Sequence, residues 1–73
     1  MPTEVLYLAI AEDAQDGSWS AYVPDLPGCT AGGATAEEAL RDVEVSISLW
    51  LEEARGGNVA IPRPRAQARH IAG

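Results

Sequence analysis

The segment Pro24-Asp25-Leu26-Pro27-Gly28-Cys29, with Gly33-Ala34-Thr35-Ala36-Glu37-Glu38-Ala39-Leu40 after it, constrains this chain more than any other. Neither proline can donate to a strand ladder, and each disfavours helix at the residue before it. The chain must therefore leave any sheet here as a fixed extended turn, and Gly28 permits the tight bend that brings it back. Thr35 is a natural N-cap. Glu38, three residues on, completes a capping box, and Glu37 and Glu38 suit the positive end of a helix dipole.

The helix so capped extends from Thr35 to about Arg55, where Gly56-Gly57 ends it. At 100° per residue, Ala36, Ala39, Leu40, Val43, Ile47, Trp50, Leu51 and Ala54 fall within about 60° of one direction, a broad core-facing stripe. Val45 and Leu49 lie one turn apart on the far side, among acids, arginines and serines. They read as a subunit or partner interface, with incidental exposure as the alternative. Trp50 is a core residue by position, and a tryptophan near a helix end also suits an interface.

Before the turn, Glu4 to Ala11 reads as a strand, apolar on both faces, with Leu6, Leu8 and Ile10 on one side and Val5, Tyr7, Ala9 and Ala11 on the other. Glu12 to Gly17 supplies a polar reversal. Ser18 to Val23 then alternates, with Trp19, Ala21 and Val23 facing inward. Cys29 to Gly33 makes a short third strand weakened by two glycines. The expected fold class is α+β, a three-stranded antiparallel sheet with one long helix on one face in the order β-β-β-α. Residues 1–58 form the domain and 59–73 a tail containing proline and arginine. One helix cannot cover both faces of such a sheet, so a homo-oligomer, dimer or tetramer, is expected.

Charge divides at the same place. Residues 1–58 hold two arginines and all eleven carboxylates, a net −9, whereas the tail holds Arg63, Arg65 and Arg69 and no acid, a net +3. The body repels phosphate and attracts a basic partner, with Asp25, Glu44 and Glu52 as candidate partner-facing acids. The tail arginines suit a subunit or nucleic-acid contact. Ordinary solvated surface is the plain alternative for both.

Enzymatic readings find little support. Cys29 and His70 are the sole Cys/His combination, and His70 lies three residues from the end. Glu12, Asp13 and Asp16 lack the every-second-residue spacing of a calcium loop. No catalytic residue, metal ligand or cofactor is expected. One cysteine cannot pair within the chain, no basic, apolar-cored leader is present, and the longest uncharged apolar run is too short to span a bilayer, so a cytoplasmic protein is expected.

The strand, the Pro-Asp-Leu-Pro-Gly-Cys turn and the Gly-x-Thr-x-Glu-Glu-Ala helix start, in this order behind a hairpin, resemble the small HicB-like antitoxins from about Leu6 to Ile61. The resemblance implies a reduced RNase H-like fold. Nucleases of that fold carry a carboxylate in the middle of strand one, where this chain has Tyr7, Leu8 and Ala9, so nuclease activity does not carry over. The resemblance implies instead an inhibitor that binds and masks a small basic RNA-cleaving toxin of HicA type. Fuller family members add a C-terminal DNA-binding domain. Only 15 residues follow Asn58 here, so direct DNA binding is not expected. The alternatives are an orphan oligomeric interaction module and a nucleic-acid-binding protein acting through its arginine tail.

Overall fold

A computed structural model describes residues 6–73. Strands β1 (Ile10–Asp13), β2 (Trp19–Tyr22) and β3 (Thr30–Gly33) are followed by helix α1 (Ala36–Gly56). The strands lie in chain order and are antiparallel throughout, with Ala11 opposite Ala21 and Ala21 opposite Ala31. The α+β class and the β-β-β-α order are those expected from the sequence.

β1 begins later than its apolar run suggests, and the reason lies in its partner. Register pairs Ile10 with Tyr22, so the next rungs would set Ala9 against Val23 and Leu8 against Pro24. Pro24 has no amide hydrogen to offer β1, and the Val23 amide points the other way, continuing the β3 side by donating to the Cys29 carbonyl at 3.2 Å. The ladder stops there, and Leu6 to Ala9 carry no strand. Glu4 and Val5, the start of the expected strand, lie outside the described residues.

The β1–β2 reversal is held by its acids. Asp13 accepts the Gln15 amide at 2.8 Å, and Asp16 accepts both the amide (3.0 Å) and the hydroxyl of Ser18. Gln15 and Gly17 take the left-handed conformation.

Two overlapping turns carry the chain from β2 to β3. The Leu26 amide donates to the Val23 carbonyl and the Cys29 amide to the Leu26 carbonyl, both at 3.1 Å. Each turn has proline at its second position, and the second has Gly28 third with φ +80°, the geometry of a type II turn. The arrangement drives Leu26 inward. Leu26 and Val43 are the largest fully buried side chains, within a core of Ala21, Val23, Leu26, Cys29, Ala39 and Val43.

Thr35 caps α1 as its sequence specifies, its hydroxyl accepting the Glu38 amide at 3.1 Å. Glu38 reaches back to the Ala34 amide at 3.4 Å, one residue before the cap. At the far end the Gly57 amide donates to the Glu53 carbonyl, but Asn58 rather than a glycine takes the positive φ, 57°. The helix starts tight against the sheet: a Cβ on Gly33 would lie 2.8 Å from the Ala39 nitrogen and 3.0 Å from the Glu38 Cβ. Farther along, the Ser46 hydroxyl donates to the Thr30 carbonyl at 3.2 Å. Of the expected stripe, Ala39, Val43 and Ala54 are buried, whereas Leu40 is 36% exposed.

Candidate functional site

The outer face of α1 is where apolar and acidic residues meet. Val45 is 60% exposed and Leu49 55% exposed. Separated by one turn, they stack along the helix surface, and Glu38, Asp42, Glu52 and Glu53 project from the same side at helical spacing, all exposed, together with Arg41. Residues 36–56 carry six carboxylates against two arginines, a net −4. Such a surface offers an apolar centre with a negative rim.

Trp50 does not join that patch. It packs against the core, and its indole N–H donates to the Pro27 carbonyl at 2.9 Å, tying the helix to the proline turn. Glu52 lies one turn beyond Leu49. Glu44 lies to the side, on an open groove of about 740 Å³ between residues 6–9 and α1, where Glu37, Arg41 and Ser48 are its polar neighbours and Leu40 and Ile47 its apolar ones. The sequence assigned Leu40 and Ile47 to the core. Ile47 is partly buried and packs against that core while also lining the groove, whereas Leu40 is left 36% exposed beside it, because residues 6–9 form no strand that would widen the sheet there.

Asp25 and Arg65, expected to serve separate surfaces, are brought together. The Asp25 carboxylate accepts the backbone amides of Arg65 at 2.9 Å and Ala66 at 3.0 Å. The Ala66 and Arg65 amides, helped by the Arg65 charge, hold the Asp25 carboxyl below its usual range against a smaller opposing effect of desolvation. A second tie lies nearby in the tail, where the Tyr7 hydroxyl donates to the Pro62 carbonyl at 2.6 Å. Arg63 and Arg69 are exposed. No local sequence signal marks these contacts, which join residues 40 or more positions apart.

The chemical groups weighed earlier take structural places. Cys29 is buried, and desolvation pushes its thiol up, which disfavours the thiolate that a nucleophile needs. His70 is exposed in the tail. Among the described residues no group of three or more His, Cys, Asp or Glu is placed to hold a metal ion, and no helix is long and apolar enough to cross a membrane.

The face of the sheet away from α1 is the remaining surface. Register sets Ile10, Tyr22 and Thr30 side by side on it, with Ile10 and Tyr22 half-buried. The Glu12 carboxylate beside the Tyr22 phenol raises that phenol's pKa, by hydrogen bonding first, then by desolvation and charge.

Comparison with known proteins decides the family. The model of the HicB-like antitoxin of bacterial toxin-antitoxin systems matches residues 7–72. The chain belongs to the HicB-like antitoxin family. A UPF0150 protein of Thermoplasma acidophilum is 36% identical over 61 residues, covering 84% of this chain and 88% of its own length. One from Synechocystis is 34% identical over 65 residues, 89% of each chain, and one from Helicobacter pylori is 36% identical over 56 residues, covering 77% and 76%. No solved structure gives a significant match. The family match extends beyond the Leu6 to Ile61 span that the motifs marked and includes residues 62–66, which tie back to Tyr7 and Asp25.

Proposed function

We propose that this HicB-like chain is a non-enzymatic cytoplasmic inhibitor that binds a small basic RNA-cleaving toxin of HicA type and masks its active site. The observation that carries the reading is the outer face of α1, where Val45 and Leu49 stand exposed inside a rim of Glu38, Asp42, Glu52 and Glu53. Opposite charge steers a basic partner onto such a face, and a small apolar centre supplies the contact that holds it. Glu44 extends the negative surface toward the groove.

The same protein forms a homo-oligomer in this reading. α1 covers one face of the sheet, and Ile10 and Tyr22 on the other are half-buried in a single copy. A second copy laid sheet to sheet on that face buries it between two helix-covered sheets. A monodisperse monomer at micromolar concentration in light scattering refutes this part.

The test is a pull-down of tagged protein from its native cytosol, eluted at low and then high salt, with mass spectrometry of what is released. The expected result is a small basic ribonuclease-like protein released by salt. Glu44→Lys and Glu52→Lys then each weaken binding roughly tenfold at low ionic strength, and Leu49→Ala weakens it at all salt concentrations. Recovery of the chain alone refutes the inhibitor reading. Binding insensitive to both reversals refutes its electrostatic basis.

A further inference from the structure

Residues 59–73 carry no helix or strand, yet they do not merely trail from the body. Pro62 is held by the Tyr7 hydroxyl, and Arg65 and Ala66 are held by one carboxylate, that of Asp25. The prolines at 62 and 64 stiffen this stretch in an extended form, so two points of attachment fix its course. It is a positive segment laid on a negative body.

We propose that the Asp25 turn is a docking point for an extended, arginine-bearing segment of a basic partner, and that the chain's own residues 62–66 occupy it in cis as a resident competitor. The identity of the partner rests on the inhibitor reading above; the occupancy and its competition do not. The chemistry recognised is a pair of consecutive backbone amides presented to a carboxylate whose rigid turn holds it in place. Asp25 sits between Pro24 and the buried Leu26, so it is presented in one orientation rather than by a mobile loop. A partner segment with the same extended form satisfies the same oxygen atom, and it gains the site only by displacing residues 62–66. A docking site occupied for most of the time binds an incoming ligand more weakly by the fraction left open.

The test uses the full chain and, as probe, an acetylated peptide of residues 61–69 supplied in trans. The Arg65→Pro/Ala66→Pro double variant removes both amide donors from the tail and leaves Asp25 in place. Nuclear magnetic resonance titration at millimolar peptide should show the double variant binding about tenfold more tightly than the wild type, with the shifts centred on Asp25 and lost when Asp25→Ala is added. In the wild type, the Arg65 and Ala66 amides should exchange with solvent about tenfold more slowly than that of Arg69, and Asp25→Ala should remove the difference. Circular dichroism of each variant confirms that the helix is retained. Exchange of Arg65 and Ala66 at the rate of Arg69 in the wild type overturns the strap. Equal peptide affinity in wild type and double variant overturns the competition, and no binding by the double variant overturns the docking point. None of these measurements contains a toxin, so they stand or fall separately from the inhibitor reading.

Discussion

Leu26 lies in a turn, yet it is 1% exposed and shares the centre of the core with Val43. Leu26→Ala should therefore behave as a core truncation. Removing three carbon groups from a buried site forfeits about 2.4 kcal/mol of transfer free energy at about 0.8 kcal/mol each. The cavity left behind adds to this, for a total between about 2.7 and 5 kcal/mol. Two overlapping proline turns fix the backbone on either side and limit its collapse into the gap, so a loss of at least about 3 kcal/mol is expected. A chain of 73 residues has a total stability of roughly 4–11 kcal/mol. One turn residue thus decides between a folded and a marginal domain. Urea denaturation followed by circular dichroism measures it: with m near 1 kcal/mol/M, the midpoint should fall by about 3 M at unchanged m. Leu49→Ala, on the exposed face, should stay within about 0.5 kcal/mol of wild type. A Leu26→Ala midpoint within about 0.5 M of wild type would refute the turn's role as a lid on the core.

Thr35→Ala removes the hydroxyl that accepts the Glu38 amide and should cost about 1 kcal/mol, read from the same urea midpoint; an unchanged midpoint denies the cap its contribution. Gly33→Ala drives a Cβ to 2.8 Å from the Ala39 nitrogen, a backbone atom that moves only with the helix, and should destabilise by about 1–3 kcal/mol. Gly32→Ala meets only the Trp19 carbonyl at 3.6 Å and should be tolerated, and equal effects at the two glycines would show that the helix contact is not limiting. The Asp25 carboxyl is held low by the Ala66 and Arg65 amides, so its contribution is complete above the ordinary aspartate range and disappears as pH falls through its lowered value. The Ala66 amide resonance should titrate with a midpoint below that of an ordinary aspartate; a midpoint at or above the ordinary value shows that the contact is not formed.

Local chemistry made the hairpin, the double-proline turn and the capped helix legible, because each is decided by residues a few positions apart. Thr35 and Glu38, or Pro27 and Gly28, carry their geometry with them. The first strand was misplaced for the opposite reason. Apolar residues up to Ile10 favour a strand wherever a partner exists, but the partner ends at Tyr22, and only register shows that Pro24 would face Leu8. At the helix end, Gly56-Gly57 marked the stop correctly, while Asn58 took the left-handed conformation. Val45 and Leu49 were legible as an outward pair from helical phase alone. Trp50, at a core phase and near a helix end, fits either role until its bond to Pro27 is seen. The union of Asp25 with the tail had no sequence signal, since charge opposition between segments names neither the carboxylate nor the amides that meet.

The strap also gives the molecule an order in time. Residues 62–66 leave the ribosome after both Tyr7 and Asp25, and after the helix whose end positions them. Asp25 is made 40 positions before the Arg65 amide it accepts and 41 before that of Ala66, and Tyr7 is made 55 positions before the Pro62 carbonyl it holds. Both ties therefore close only after the strands and the proline turn have been made, and the strap joins the end of the described chain to its beginning.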